Sequence, residues 1–227
     1  MSEYNSKIED IVDDISSAEE DRFRLLIIGK TGCGKTTILS KVCGEEVADK
    51  PSECRGVHDI HREMSFKDNR LFLVHDSEGF EAGRKHEFNV VQKFIESRSR
   101  KEKLNERLHA IWYCLVTSSR AIQQAEKMFF SVPRDVPVVA IFTKFDIFVQ
   151  DQYARLLQSA GEADEDDMED EDDMEERLMA EAQTRAIATF EERYKSVLMQ
   201  MPHPPKAIVA VSGVHESTPK TSRLAEL

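Results

Sequence analysis

The chain has 227 residues, a net charge of −12 and 40% hydrophobic residues, enough for one domain with a buried core. No apolar stretch reaches bilayer length, and the opening MSEYNSKIEDIVDD is acidic and polar, unlike a signal or transit peptide. The four cysteines (33, 43, 54 and 114) form no C-x-x-C pair and read as free thiols of a reducing compartment, with no zinc site implied and a cytoplasmic location expected.

After a polar extension over residues 1–22, Phe23, Leu25, Leu26, Ile27 and Ile28 predict a strand buried on both faces. Residues 35–43 then suit a helix, with Ile38, Leu39 and Val42 at helical spacing. The turn between them, Gly29-Lys30-Thr31-Gly32-Cys33-Gly34-Lys35-Thr36, fits G-x-x-x-x-G-K-[ST]. Its glycines let successive backbone N–H groups converge on an anion, and the following helix adds its positive end. Lys35 is expected to reach the β- and γ-phosphates of a nucleotide. The Thr36 hydroxyl is expected to ligate Mg²⁺, and Thr37 completes the nucleotide-facing set.

Two strands are expected over 58–66 and 70–76, antiparallel because only the turn-like KDN separates them. His58 and His61, three apart on such a strand, would point to opposite faces and make no metal pair. The second strand ends in Asp76-Ser77-Glu78-Gly79, a D-x-x-G. Asp76 there can hold Mg²⁺ through its water shell, and the Gly79 N–H can meet a γ-phosphate.

A helix over about 86–103, a strand over 109–116 and a helix over about 120–131 follow. The strand over 136–144 ends in Thr143-Lys144-Phe145-Asp146. The Asp146 carboxylate can accept hydrogen bonds from the ring N–H and exocyclic amine of guanine, a donor pair that adenine lacks. The Lys144 stem can pack along the base.

A helix near 147–160 leads to residues 162–176, which hold twelve acids and no base, so the rest of the chain sums to zero charge. Without an EF-hand glycine or alternating ligand spacing, this run reads as a solvated, disordered insert and not a calcium loop. Neutral elsewhere and without aromatic–basic interleaving, the chain gives no sign of nucleic-acid binding. A long helix near 176–200 carries Leu178, Ala182, Ala186, Phe190, Tyr194 and Leu198 on one stripe. The last strand, over 206–212, ends in Val211-Ser212-Gly213, whose backbone can touch the guanine oxygen. The alternation predicts a doubly wound, three-layer α/β fold, with a mostly parallel six-stranded sheet and one antiparallel edge strand.

GKTGCGKT, DSEG, TKFD and the VSG strand end, in that order, resemble the nucleotide-binding motifs of a translation-factor-class P-loop GTPase domain over residues 23–213. The stretches DSEGFEAG and HAIWYCLVTSSRAIQQAEKMFF are further similar to septin-like and chloroplast-import-receptor-like GTPases, and closest to fungal G-domain proteins. That resemblance implies binding of GTP or GDP with Mg²⁺, slow hydrolysis, and pairing of two G domains across the nucleotide face. Residues 214–227 form a tail in which TSRLAEL reads as the first turns of a closing helix.

Two departures bear on mechanism. Such domains place a threonine in the loop before the second strand, whereas SECRGVH (52–58) has none; Ser52 is a candidate substitute, and the residue that takes this place stays open. Ras-like GTPases also place a water-orienting glutamine after the D-x-x-G glycine, where this chain has Phe80. Arg55, Arg84 and Arg120 are candidates for contacts across a paired interface, against the plainer reading of surface salt bridges. A non-hydrolysing nucleotide-binding scaffold is thus the alternative to a slow GTPase. A P-loop kinase is disfavoured by TKFD and by the lack of an arginine-rich lid.

Overall fold

The computed structural model of the chain describes residues 22–44, 59–67, 69–77, 85–117, 122–160 and 171–212. In chain order these form β1 (Phe23–Gly29), α1 (Lys35–Cys43), β2 (Met64–Ser65), β3 (Phe72–Asp76), α2 (Lys85–Ser99) and a 3-10 turn (Leu104–Glu106). There follow β4 (Ala110–Val116), α3 (Gln124–Phe129), β5 (Val138–Thr143) and α4 (Phe145–Ala160). Last come α5 (Glu171–Phe190), a π-helical turn (Glu191–Lys195), α6 (Ser196–Met199) and β6 (Ala207–Ala210).

The strands form one sheet in the order β2-β3-β1-β4-β5-β6, mostly parallel and flanked by helices. The antiparallel strand is β2, at the edge, with Met64 opposite Val74. β1 and β3 are parallel neighbours, in register from Phe23 opposite Phe72 to Ile27 opposite Asp76. The expected sheet, with its one antiparallel edge strand, is therefore present. No helix among the described residues is long and apolar enough to cross a membrane.

The chain divides into two compact units. The first comprises the described residues of Met1–Tyr113 with Arg134–Val139. Its β1 is buried as its composition demands, Leu25 to Ile28 being fully inaccessible. The strand expected over 58–66 is reduced to Met64–Ser65. Asp59 diverts the chain, because its carboxylate accepts the His61 N–H (2.9 Å) and its carbonyl accepts the Arg62 N–H (2.9 Å). This side-chain capture of the backbone competes with strand pairing. His61 accordingly sits in a turn with its ring edge on Phe94, and His58 lies outside the described residues.

The second unit comprises the described residues of Cys114–Pro133 and Ala140–Leu227. Helices α4 and α5 meet through Leu156, Leu178 and Ala182, with Val149, Tyr153 and Met174 packed against them. The acidic run is not an insert throughout. Residues 171–176 already belong to α5, with Asp172, Asp173, Glu175 and Glu176 exposed, while 162–170 lie outside the described residues. Acids in the first turn of a helix complement its positive end, so this placement is electrostatically favourable.

Candidate functional site

In the first unit, the chain leaves β1 at Gly29 and turns through Gly32 (φ 76°) and Gly34 (φ 85°) before α1 begins at Lys35. Both values lie in the left-handed region that glycine enters at no steric cost. A Cβ on Gly32 would meet nothing within 4 Å, so conformation and not crowding selects glycine there. Cys33 is buried within the turn, its N–H bonded to the Lys30 carbonyl at 3.2 Å. Helix α1 has no side-chain cap and no acidic residue in its first turn. Its leading N–H groups and positive dipole end therefore favour an anion.

The Lys35 ammonium donates to the Gly29 carbonyl at 3.1 Å and lies 4.0 Å from the Asp76 carboxylate. Asp76 reaches this point because β3 runs parallel to β1 and ends beside Ile27, where the Ser77 N–H donates to the Ile27 carbonyl (3.2 Å). The structure thus brings Lys35 and Asp76, 41 positions apart in sequence, to one strand end. Thr36 and Thr37 are exposed on the first turn of α1, as are Lys30 (partly) and Thr31 at the turn. A Thr36 hydroxyl and an Asp76 carboxylate are hard oxygen donors suited to Mg²⁺, which takes one or two protein ligands and completes its shell with phosphate and water. Gly79, Phe80, Ser52, Arg55, Arg84, Arg120 and Gly213 all lie outside the described residues.

One feature of this unit escaped the sequence reading. His75, one residue before Asp76 and fully buried, is held by groups from three segments. Its Nδ1 lies 2.9 Å from the Ile60 carbonyl, which can only accept, so Nδ1 carries the proton. Nε2 is then the acceptor for the Arg24 guanidinium at 2.8 Å, and His75 is neutral. Burial, with the nearby Arg24 charge, pushes its pKa down to about 4. Arg24 also bonds Glu63 and donates to the Asn105 carbonyl, and Arg98 lies 3.4 Å from the same Glu63 oxygen. Burial alone would raise the Glu63 pKa, but the hydrogen bond and charge of Arg24, with the charge of Arg98, hold it below its ordinary value. Arg24 and His75 were hidden because each interrupts an apolar strand, and their partners are remote in sequence.

In the second unit, β5 ends at Thr143 and α4 begins at Phe145. The Thr143 hydroxyl is buried and donates to the Leu115 carbonyl at 3.1 Å, so this threonine fixes the strand end. Lys144 links the two elements with φ 58°, the one non-glycine left-handed residue among the described residues. That conformation costs roughly 1–2 kcal/mol for a residue with a Cβ and persists only where surroundings enforce it. After it, the Phe145 N–H donates to the Val211 carbonyl (3.2 Å), and the Phe148 N–H donates to the Lys144 carbonyl (3.3 Å). The Val211 N–H in turn donates to the Phe142 carbonyl at 2.8 Å. The turn leaves Lys144 exposed and Asp146 half-buried in the first turn of α4, with Ser212 half-buried one residue past Val211. Thr143, Lys144, Asp146 and Ser212 are thereby gathered at the adjoining ends of β5 and the Val211 segment.

No protein-family model and no curated protein matches the chain. Among solved structures, it is similar to a GDP-bound mutant of the S. thermophilus FeoB G-domain, with 15% identity and a TM-score of 0.39 over 60% of this chain and 52% of that one. An S. thermophilus NFeoB mutant bound to GDP·AlF4⁻ is similar at 15% identity and a TM-score of 0.38, over 59% of this chain and 53% of that one. The chain thus spans about half the length of these structures.

Proposed function

We propose that this protein binds guanine nucleotide with Mg²⁺ and hydrolyses GTP slowly, as a cytoplasmic switch or assembly GTPase. The observation that carries the reading is the turn at Gly29–Lys35, with left-handed Gly32 and Gly34, an uncapped α1, and Lys35 held over the turn between a carbonyl and Asp76. An ammonium so placed exchanges those two partners for phosphate oxygens without moving its backbone. The other N–H groups between Lys30 and Thr36, that of Cys33 apart, supply the rest of the cradle.

Thr36 and Asp76 are the proposed holders of Mg²⁺, Asp76 through water, and Gly79 is the proposed donor to the γ-phosphate. Held by these residues, Mg²⁺ would supply positive charge to offset that of the phosphates. In the second unit, Asp146 is the reader of the guanine ring N–H and amine, Lys144 covers the base, and Ser212 with Gly213 meets the guanine oxygen. The half-buried setting of Asp146 in the first turn of a helix supports this, since a carboxylate there is favoured by the helix dipole.

Phe80 cannot orient water, so catalysis rests on charge stabilisation alone until a second molecule adds a group. Two G domains paired across the nucleotide face are the proposed source, with Arg55, Arg84 and Arg120 as candidate contributors. Phosphate release from GTP and from ATP, followed over a wide range of protein concentration, tests the reading. The expected result is GTP-selective turnover on the order of 10⁻⁴ to 10⁻³ s⁻¹ in dilute protein, rising with concentration. Fast, concentration-independent turnover would contradict the account of Phe80. A complete lack of hydrolysis with tight GTP binding would favour the scaffold reading, which the missing glutamine motivates.

A further inference from the structure

Phe142 and Phe145 bracket the Thr143-Lys144 pair, and one ring touches both. Phe190 meets Phe142 edge-on at 5.0 Å between ring centroids and Phe145 edge-on at 5.6 Å. Tyr194 reinforces it from the next turn, edge-on to Phe142 (5.4 Å) and Phe148 (6.1 Å) and stacked on Phe190 (6.1 Å). Phe142, two residues before the strained Lys144, and Phe145, the residue after it, are therefore held by the same side chain. Lys144 itself is exposed, so its own side chain does not enforce the left-handed backbone.

The helix is built to deliver these rings. Leu178, Ala182, Ala186, Phe190, Tyr194 and Leu198 are all buried, at a strict spacing of four. In an α-helix of 3.6 residues per turn, each such step overshoots a full turn by about 40°, so the stripe would wind away from its partner surface. The π-helical turn at Glu191–Lys195 lies where that drift has accumulated over three steps. Its wider i→i+5 winding turns the helix back and keeps Tyr194 and Leu198 on the buried side. Insertions of this kind in helices often accompany functional sites.

We infer that Phe190, backed by Tyr194, is a positioning residue for base selection. It holds the Phe142–Phe145 bracket closed, keeps Lys144 left-handed, and thereby fixes where α4 starts and where Asp146 stands. The inference rests on the reading of Asp146 as the guanine reader. It adds that selectivity depends on a helix more than forty residues downstream.

The test measures binding of GTP, ITP and ATP to the full chain, its Phe190→Leu and Phe145→Leu variants, and a Leu178→Ala control. ITP lacks the exocyclic amine, so the GTP-to-ITP affinity ratio reports the carboxylate contact and not general folding. Leu178 lies on the same buried stripe, three steps from Phe190 and packed instead with Leu156 and Ala182. Its truncation lowers stability without touching the bracket. The expected result is that both phenylalanine variants stay folded by circular dichroism and lose about tenfold of the GTP-to-ITP ratio. Leu178→Ala should keep the parent ratio despite a lower Tm. A parent-like ratio in either folded phenylalanine variant would overturn the inference while leaving guanine binding intact. An equal loss in Leu178→Ala would overturn it as a mere stability effect. Equal affinity of the parent for GTP and ATP would instead bring down the guanine reading itself, and this inference with it.

Discussion

The turns at Gly29–Lys35 and Thr143–Phe145 solve the same problem by opposite means. Each links a buried strand to a helix and needs a left-handed backbone. The first obtains it from glycine, and nothing stands within 4 Å of the place where a Gly32 side chain would begin. The second imposes it on a lysine, through a buried threonine, the Val211 carbonyl and a set of aromatic rings. Under the proposed reading, a turn that wraps a phosphate keeps its backbone bare, whereas one that sets a carboxylate against a flat base can be crowded from behind, provided its front stays open. The contrast predicts that the first is sensitive to its own residues, the second also to distant ones.

Removing the charge at the first turn should have the largest effect. Lys35→Ala is expected to weaken GTP binding by a hundredfold or more, about 2.7 kcal/mol, in an equilibrium titration with labelled nucleotide. Retention of parent affinity would mean that the ammonium between Gly29 and Asp76 is a structural strut only.

At the second turn, Asp146→Asn should exchange specificity more than abolish binding. An amide N–H₂ meets the acceptor of xanthine where the carboxylate met the guanine amine, so GTP affinity should fall and XTP affinity rise, reversing their order. Competition of GTP and XTP on one protein sample reads this directly, and a parallel loss of both nucleotides would contradict it.

The buried network behind Asp76 makes stability depend on pH. The ordinary His pKa is 6.5, and His75 in the fold is near 4. The unfolded chain therefore takes up a proton that the fold refuses, so the stability due to neutral His75 is whole above about pH 6.5 and is lost as pH falls toward 4. At most roughly 3 kcal/mol is at stake. Urea unfolding at pH 7.5, 6 and 5 should show this slope in the parent and a flatter one in His75→Gln. An equal slope in both would assign the acid sensitivity elsewhere.

The smallest effect is expected from the acidic run. Deleting residues 162–170, short of the exposed first turns of α5, should change GTP affinity by less than tenfold, or 1.4 kcal/mol. A larger loss would make the run part of the nucleotide site.

How much of this was legible in the sequence follows from the same contrast. Gly32 and Gly34 announce a left-handed turn in single letters, and the apolar run of β1 announces the buried strand before it. The edge strand was readable as antiparallel from its short link, but its length was not, because Asp59 captures the backbone that a β-pattern assigned to pairing. TKFD was readable as a motif, whereas the strain at Lys144 and the rings that enforce it arise from packing between residues 142 and 194. The spacing of four along 178–198 was visible as a buried stripe. Its departure from 3.6 was the signal for the π-helical turn. Arg24 and His75 left no such trace, since one polar residue in an apolar strand looks the same whether it faces solvent or a partner.

The central claim is that this chain selects guanine. Equilibrium titration of the purified full chain with GTP, with ATP as competitor and Mg²⁺ present, tests it most directly. The account predicts that ATP fails to displace GTP even at a hundredfold excess, because adenine offers Asp146 no pair of donors. Displacement of half the GTP by an equal concentration of ATP would contradict it, and would leave the turn at Gly29–Lys35 as a phosphate site without a base preference.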